Sequence, residues 1–372
     1  MPVRLLVVSP SMARGGAQRF GATLLAKLDR RRFSPELALL RNEIQFELPA
    51  DVPVHPLGYR GALTGPLAVR NLARLLDRTQ PDVVLSTLST SSIMTGWALK
   101  HCSHRPVWVA RIGNNPRFQD SFVRRPFVRR YTKDADLFVA NAEFLREPTE
   151  ELYPFTRGRL QIVRNPANFA AIDAALPPTP TPPPTGSLPI ILSVARLEPQ
   201  KRPDLLLQVF ARVLQQQPAE LWLAGDGPLE ASVRQQAQSL GIASNVRFFG
   251  FNKNPFELML KAQVFLLTSD HEGLPNALIE AQGLGLPAVS TRCGSEEVIV
   301  DGTTGLISEV GDVPALAAGV LKLLQDPELH ARFSEAARRL TRERFDVEHV
   351  IPVWEDVLLA AAKGHGFLAA SR

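Results

Sequence analysis

Residues 264–291, "VFLLTSDHEGLPNALIEAQGLGLPAVST", contain a complete strand–helix–strand pattern. "VFLLTS" and "PAVST" are short apolar runs, and between them Pro275 suits the first position of a helix that continues to Gly283 and ends by Gly285. Apolar strands that alternate with helices are typical of parallel sheets covered on both faces. This segment therefore predicts an α/β fold.

The same alternation extends through both halves of the chain. The predicted strands of the first half are "RLLVVSP", "ELALL", "DVVLST", "VWVARIG", "LFVAN" and "LQIVRNP", and those of the second are "PIILSVARL", "AELWLAGDG", "NVRFFGF", "VFLLTS", "PAVST" and "GLIS". Helical patterns lie near 17–28, 67–77, 204–217, 229–240, 255–261 and 275–283. Two such units predict two Rossmann-like domains that face each other across a cleft.

A proline-rich segment separates the two halves. Its sequence, "LPPTPTPPPTGSLP", forbids a helix or a central strand and favours an extended connector. We expect an N-terminal domain over 1–176, a linker over 177–189 and a C-terminal domain over 190–345. Residues 346–372 are expected to form a C-terminal helix that can cross back to the N-terminal domain.

Composition indicates an ordinary globular protein, with 45% apolar and 21% charged residues among 372. Two cysteines, Cys102 and Cys293, are too few for a disulfide framework or a cysteine-based metal site. The first apolar run is short for a signal peptide, and no run approaches the roughly 18 residues of a membrane span. We therefore expect a cytoplasmic protein.

Charge is unevenly distributed along the chain. Residues 1–178 carry 25 Lys and Arg against 15 Asp and Glu, whereas 179–372 carry 17 against 22. Much of the positive charge lies in 117–133, "RFQDSFVRRPFVRRYTK", where aromatic and basic residues alternate. This pattern is typical either of a peripheral contact with an anionic membrane or of a helix whose arginines are solvated. Nucleic acid is not an expected partner, because no recognised binding motif accompanies the charge.

Candidate binding residues follow the predicted strands, where open α/β sheets place their ligands. Gly15 and Gly16 follow the first strand, and glycines there let backbone N–H groups approach a phosphate. Arg196 and Lys201 follow the strand "PIILSV" and suit a diphosphate, Arg as a bidentate donor and Lys as a point charge. Solvated loop charges are the simpler interpretation of these two cations.

Two carboxylates flank the segment Leu274, Pro275 and Asn276. Glu272 lies in the turn before the predicted helix, whose first N–H groups can bond an anion or a hydroxyl. Glu280 follows eight residues later, at most about 12 Å along a helix. Carboxylates so spaced suit opposite ends of an elongated ligand rather than one metal. A nucleotide sugar, with hydroxyls at both ends and a diphosphate between them, has that form.

The segments "SVARLEPQKRPDLLLQVF", "LAGDGPLE", "NVRFFGF" and "HEGLPNALIEAQGLGLPAVSTRCGSEEVIVDGTTGLI" resemble the retaining glycosyltransferases of the GT-B fold, family 4, also called glycosyl transferases group 1. Glu272 and Glu280 match the Glu-x7-Glu signature of that family. In the N-terminal half, "GGAQR", "LFVANAEFLRE" and "IVRNP" extend the resemblance, which covers the chain from Arg4 to about Phe345.

The resemblance implies a role for each candidate residue. Arg196 and Lys201 would bind the donor diphosphate, Glu272 the transferred sugar and Glu280 the ribose; Leu274, Pro275 and Asn276 would present backbone groups, Gly15 and Gly16 would approach the phosphates, and Phe251 would lie near the base. One position departs from many relatives, which carry a histidine where this chain has Arg111. Because arginine cannot act as a base at neutral pH, Arg111 would orient the ligand or compensate charge.

The sequence thus predicts a retaining, metal-independent transferase that moves a hexose or N-acetylhexosamine. The donor would be a nucleotide diphospho-sugar, uridine-linked, and the acceptor a lipid-linked or growing surface glycan reached at the inner membrane face. No cofactor or metal is expected. Asp134-Ala135-Asp136 matches the Asp-x-Asp sequence of metal-dependent transferases, but it precedes a strand instead of following one. The alternatives are a sugar-nucleotide epimerase or phosphorylase of the same fold and a non-catalytic sugar-nucleotide-binding scaffold.

Overall fold

The computed structural model describes residues 1–13, 15–176, 188–252 and 254–364. The predicted linker, 177–189, therefore lies outside the described residues except for its last two positions. The end of the predicted C-terminal helix, 365–372, also lies outside them.

The chain forms two compact units. The first comprises Met1–Pro166 together with the described part of Val347–Arg372, and the second comprises Ala167–Asp346. Residues 167–176, expected in the N-terminal domain, group with the second unit. The reason is local packing: Phe169 is fully buried with the Arg342 guanidinium 5.0 Å from its ring centroid, and Arg342 also pairs with Asp173 at 2.6 Å.

The first unit is a seven-stranded parallel sheet with helices between its strands. The strand order is β3-β2-β1-β4-β5-β6-β7. The strands are β1 Val3–Ser9, β2 Phe33–Leu39, β3 Val54–Pro56, β4 Val83–Ser86, β5 Val107–Ile112, β6 Leu137–Ala140 and β7 Leu160–Ile162. The helices are α1 Gly16–Lys27, α2 Gly65–Thr79, α3 Ser89–Ala98, α4 Pro116–Gln119, α5 Arg125–Thr132 and α6 Arg146–Leu152. A final helix, Val347–Ala362, belongs to this unit and is numbered α14 below.

The second unit is a six-stranded parallel sheet of order β10-β9-β8-β11-β12-β13. Its strands are β8 Ile190–Val194, β9 Glu220–Ala224, β10 Val246–Gly250, β11 Val264–Leu267, β12 Ala288–Thr291 and β13 Gly305–Ser308. Its helices are α7 Phe169–Ala174, α8 Pro203–Leu214, α9 Glu230–Ser239, α10 Phe256–Lys261, α11 Asn276–Gly283, α12 Val313–Gln325 and α13 Pro327–Phe345. Residues 264–291 form the expected β11–α11–β12 unit, and β11 pairs with β12 in parallel.

Burial explains why continuous apolar runs, and not alternating ones, mark the central strands. Every residue of β4, β6, β11 and β12 is buried. Helices on both faces remove both sets of side chains from water, so each position favours an apolar residue. The predicted α/β class with two parallel sheets is confirmed.

Candidate active site

A buried ion pair joins two strand-end loops of the second unit. Lys201, in the loop between β8 and α8, places its Nζ 2.5 Å from Oε1 of Glu272, which follows β11. The two side chains are 18% and 8% exposed. Two of the residues singled out in the sequence, 71 positions apart, therefore meet at the carboxyl edge of the sheet.

Backbone and side-chain bonds hold the Lys201 loop against the end of β11. Thr268 Oγ1 donates to the carbonyl oxygens of Lys201 and Arg202, at 3.2 and 3.1 Å. Arg202 pairs with Asp270 at 3.0 Å, and Gln200 Nε2 donates to the His271 carbonyl at 2.7 Å. These contacts fix the direction of Lys201.

Arg202 adopts a left-handed conformation, with φ 49° and ψ 54°, directly before Pro203. Proline disfavours the right-handed helical region for the preceding residue, and a left-handed non-glycine residue costs about 1 kcal/mol or more. The ion pairs of Arg202 with Asp204 and Asp270 offset this cost. Arg202 therefore positions Lys201, a role that its sequence context did not reveal.

Glu272 is bound from three directions. Ser269 Oγ donates to its Oε1 at 2.6 Å, Lys201 donates to the same oxygen, and the backbone N–H of Glu272 donates to the Cys293 carbonyl at 2.6 Å. These bonds orient a charge-bearing acceptor that is only 6% exposed. The nearby thiol of Cys293 has its pKa raised to about 12, mainly by burial and further by the Glu272 charge.

The remainder of the Glu-x7-Glu element forms a turn and a helix. Leu274 is buried, Pro275 occupies the N-cap of α11 with φ −74° and ψ 95°, and the helix begins at Asn276. The helix therefore begins one residue later than predicted. Glu280 lies on this helix and is 6% exposed. A buried carboxylate requires polar partners or a ligand.

Arg196 and Phe251 are more accessible. Arg196 Nη1 lies 2.7 Å from Glu198 Oε1, with 62% of its side chain exposed. Phe251 follows β10 and is 46% exposed.

The glycine pair of "LAGDG" has a packing role: a Cβ at Gly225 would lie 1.8 Å from the Ala195 carbonyl oxygen, and one at Gly227 2.4 Å from that of Leu197. Both glycines allow the loops after β8 and β9 to approach each other closely.

In the first unit, Gly15 and Gly16 lie where β1 leads into α1. Gly15 is the N-cap residue of α1 with φ 152°, a value that favours glycine, and Gly16 is the first helical residue. Both are exposed.

Arg111 is a fully buried cation at the end of β5. It is 2% exposed, and its guanidinium carbon lies 4.1 Å from the centroid of the Phe20 ring. Nη2 donates to Asn165 Oδ1 at 2.7 Å, Nη1 donates to the Thr87 carbonyl at 3.3 Å, and Nε has no hydrogen-bond partner among the described residues. Burial lowers the pKa of this guanidinium to about 9. No carboxylate among the described residues forms an ion pair with it at up to 4.0 Å.

The basic segment 117–133 includes most of α4 and all of α5, and the turn between them is buried at Asp120 and exposed over 121–124. Phe122, Val123 and Phe127 are 86%, 74% and 54% exposed. Arg124, Arg129 and Arg130 are exposed, and Arg125 and Arg129 donate to backbone carbonyls. We call the exposed side chains of Phe122, Val123, Arg124, Phe127 and Arg130 the aromatic–basic patch.

The described residues contain neither a cluster of metal ligands nor a membrane-spanning helix. No group of three or more His, Cys, Asp or Glu side chains there converges on a common point. No helix within the described ranges combines the length and apolar character needed to cross a bilayer. Asp136 of the Asp-x-Asp sequence accepts a hydrogen bond from the Trp108 backbone at 2.7 Å.

Two family models match successive parts of the chain. The model described as Glycosyltransferase Family 4 matches residues 14–170, and the model described as Glycosyl transferases group 1 matches residues 182–340. Together they include Arg111 and the Lys201–Glu272 pair.

Individual relatives and solved structures agree with these matches. The chain is 34% identical over 169 residues to the N-acetyl-alpha-D-glucosaminyl L-malate synthase of Bacillus anthracis, a match that spans 45% of this chain and 44% of that protein. It is 25% identical, over 88% of its length and 92% of the relative's, to the N-acetylgalactosamine-N,N'-diacetylbacillosaminyl-diphospho-undecaprenol 4-alpha-N-acetylgalactosaminyltransferase of Campylobacter jejuni. The crystal structure of Anabaena Alr3699/HepE in complex with UDP superposes with a TM-score of 0.80, at 18% identity, and covers 96% of this chain and all of that one.

Proposed function

We propose that the chain, which belongs to the family 4 glycosyltransferases of the GT-B fold, transfers a hexose or N-acetylhexosamine from a UDP-linked donor. The transfer would retain the configuration of the sugar and need no metal. The observation that carries the proposal is the buried Lys201–Glu272 pair, which places a cation and a sugar-hydroxyl acceptor 2.5 Å apart. The UDP donor is further supported by the UDP bound in the similar HepE structure.

The pair suits the chemistry of a sugar–diphosphate bond. An ammonium group has three N–H donors, so Lys201 can retain Glu272 and still donate to a phosphate oxygen. Breaking the bond builds negative charge on the leaving diphosphate, and a cation already in position stabilises that charge. Glu272 has further acceptor capacity for the hydroxyls of the transferred sugar. We assign Arg196 to the same diphosphate, since its exposed guanidinium follows the same strand.

The backbone groups of Leu274, Pro275 and Asn276 would orient the sugar, and Glu280 would accept from the ribose. Phe251 would lie beside the base, where its exposed ring can contact an aromatic surface. In the first unit, we assign Gly15 and Gly16 to the donor phosphates.

Arg111 is proposed to compensate negative charge. A buried guanidinium without an ion pair within the described residues is unfavourable until an anion lies nearby. Neutral partners alone satisfy two of its donors, at the Thr87 carbonyl and Asn165. An anionic donor would supply the missing charge.

The acceptor is proposed to be a lipid-linked or growing glycan, as the diphospho-undecaprenol named for the Campylobacter jejuni relative suggests. The aromatic–basic patch is then proposed to contact the anionic membrane surface that carries such an acceptor.

The proposal is tested by thermal shift and calorimetry with UDP-, GDP- and ADP-sugars, each in the presence of EDTA. We expect UDP-sugars to raise the melting temperature, and Lys201→Ala to weaken that binding about tenfold or more, as loss of a charge-assisted hydrogen bond predicts. Lys322→Ala, an exposed lysine of the same unit, is the matched control and should bind as the native protein does.

Turnover is then measured by NMR of the anomeric proton, with diphospho-undecaprenol-linked sugars as acceptors. An α-linked product from an α-linked donor supports retention, and an inverted product contradicts it. Donor binding that is lost in EDTA contradicts metal independence, and binding without turnover would favour a non-catalytic scaffold.

A further inference from the structure

Ser269 lies two residues after the end of β11 and three residues before Glu272. It is fully buried, and its Oγ donates to Oε1 of Glu272 at 2.6 Å. Lys201 donates to the same oxygen from the loop between β8 and α8. With both donors on Oε1, Oε2 is the oxygen of this carboxylate that can accept from a ligand.

The two donors differ in how strictly they fix a direction. An ammonium group is a point charge on a flexible stem, so its attraction to a carboxylate depends little on orientation. The Oγ of a serine is separated from the backbone by a single rotatable bond, and a fixed backbone therefore fixes the oxygen. Lys201 thus balances the charge of Glu272, whereas Ser269 can hold its carboxylate in one plane.

The backbone around Ser269 is held by loops on both sides. Its carbonyl accepts from Thr291 Oγ1 at 2.6 Å, at the end of the neighbouring strand β12. The carbonyl of Thr291 accepts in turn from Ser295 Oγ at 2.6 Å. Towards β8, the backbone N–H of Asp270 donates to the Gln200 carbonyl at 2.9 Å. These contacts fix the backbone of Ser269 and with it the direction of its hydroxyl.

The orientation of Glu272 matters for only one part of the proposed donor. In the proposed function this carboxylate accepts from the transferred sugar, whereas Lys201 and Arg196 bind the diphosphate. Free UDP retains the diphosphate and lacks the sugar. A residue that acts through Glu272 therefore affects the binding of the intact donor and not that of UDP.

We propose that Ser269 is a positioning residue that raises the affinity of the site for the intact nucleotide sugar relative to the free nucleoside diphosphate. Because it already holds the carboxylate of Glu272 in one plane, a sugar hydroxyl can bind without the cost of ordering that side chain. The inference rests on the proposed function, since it concerns the selectivity of the same site.

The test measures the dissociation constants of UDP, UDP-glucose and UDP-N-acetylglucosamine by calorimetry, for the native chain and for Ser269→Ala. In the variant, Glu272 keeps its charge and its partner Lys201 but loses the directed donor. We expect the UDP-sugar to bind about two- to tenfold more weakly, as the ordering of one side chain predicts, and UDP to bind equally. Ser290→Ala is the matched control, because this buried hydroxyl donates to the Thr291 carbonyl, and it should change neither constant.

A second background tests whether Ser269 acts through the carboxylate. Adding Ser269→Ala to Glu272→Ala should leave the ratio of the UDP-sugar constant to the UDP constant unchanged, because the group through which it acts is already absent. Ser269→Cys keeps a side chain of similar size with a weaker donor, and its ratio should lie between those of the native protein and Ser269→Ala. Thermal denaturation establishes that each variant is folded, and Ser269→Cys provides the comparison if the alanine variant is not.

Three results would overturn the inference and leave the proposed function standing. They are equal UDP-sugar binding by the native protein and the Ser269 variants, an equal loss of UDP and UDP-sugar binding, and a further change of the ratio in the Glu272→Ala background. Binding of UDP but of neither UDP-sugar by the native protein would also overturn it. Failure of the native protein to bind UDP or any UDP-sugar contradicts the proposed function itself, and the inference with it.

Discussion

The contact between Lys201 and Glu272 allows stability and the proposed function to be tested at the same two side chains. Breaking a buried pair leaves one charge without compensation, whereas replacing both partners with neutral groups removes both desolvation costs. We therefore expect Lys201→Met and Glu272→Gln each to lower the free energy of unfolding by about 1–3 kcal/mol. The double variant should regain much of that loss and still show no transfer. Urea denaturation and a donor-turnover assay measure the two effects separately.

The double-mutant cycle shows whether Lys201 and Glu272 interact, because interacting and independent side chains give the double variant different stabilities. A double variant as unstable as the sum of the single variants would show that the side chains do not interact. Full transfer by Glu272→Gln would remove this residue from the site.

Substitution of Arg111 is expected to lower transfer without lowering stability, whereas single substitutions of Lys201 or Glu272 should lower both. Its folded pKa, about 9, lies below the ordinary value of 12.5, so the unfolded chain binds the proton more tightly. The charged guanidinium therefore lowers the free energy of unfolding. This loss is fully present below pH 9 and disappears as the pH rises toward 12.5. Arg111→Met should therefore keep or raise the unfolding free energy at pH 7, by up to about 2 kcal/mol, while transfer falls. A large loss of stability would show that its bonds to Thr87 and Asn165 outweigh its desolvation.

The site residues that could be predicted from the sequence are those that directly follow a predicted strand. Lys201 and Glu272 follow strands of a parallel sheet, and the carboxyl ends of such strands share one edge. Arg202 and Ser269 gave no comparable signal, since the direction of a side chain depends on contacts made only in the folded state. Polar residues at a strand end are also common where no ligand binds.

At the scale of elements, α7 belongs to the second unit because of a glycine in α11. A Cβ at Gly283 would lie 1.9 Å from a ring carbon of Phe169. Alanine favours a helix over glycine, by up to about 1 kcal/mol in a helix interior and by less at the last residue, which Gly283 is. Here we expect Gly283→Ala to destabilise the second unit by about 1–3 kcal/mol through overpacking. Thermal denaturation measures the change, and Phe169→Ala in the same chain should relieve the steric part. Stabilisation by the single variant would contradict the packing.

The strands with strong apolar runs were predicted, whereas the edge strand β3 and the helices α3, α6, α7, α12 and α13 were missed. The edge strand β3 has only three residues and contains Pro56, which lacks the N–H that a central strand needs. The helices α3 and α6 carry several hydroxyl or charged residues and little apolar periodicity. Their helical form depends on tertiary packing, as at Gly96, where a Cβ would lie 1.8 Å from the Tyr131 carbonyl oxygen.

The aromatic–basic patch, on α5 and the turn before it, predicts binding to anionic membranes. Only its exposed cations are suitable for a test, because Arg125 and Arg129 also hold backbone carbonyls. Each arginine near an anionic surface contributes about 1 kcal/mol. Arg124→Gln with Arg130→Gln should therefore weaken binding to phosphatidylglycerol vesicles by about 30-fold.

Cosedimentation at low and high salt provides the measurement, with phosphatidylcholine vesicles as the lipid control. Arg332→Gln with Arg338→Gln removes the same charge from exposed positions of α13 in the second unit. Equal loss in both double variants would indicate a general charge effect. No loss in either would leave the arginines as a solvated surface.

At the scale of the whole molecule, the last helix of the chain completes the core of the first unit. Trp354 on α14 is fully buried, its ring centroid lies 4.9 Å from that of Phe20, and its Nε1 donates to the Arg164 carbonyl at 3.0 Å. Glu355 accepts from the backbone N–H of Asp29 at 2.7 Å. Residues from both ends of the described chain thus stabilise one unit, while 167–346 forms the other.

This arrangement predicts that a substitution at Trp354 will destabilise strands of the first unit that are distant from it in sequence. Trp354→Ala removes a fully buried aromatic ring and should cost the first unit about 3–5 kcal/mol. Phe210→Ala, which removes a fully buried ring from α8, is the matched control in the second unit. Hydrogen exchange followed by mass spectrometry should show faster exchange in β1 and β4 for the first variant and in β8 and β9 for the second. Loss of protection in both units for either variant would show instead that the two units unfold as one cooperative body, because a local defect then lowers the stability of the entire chain.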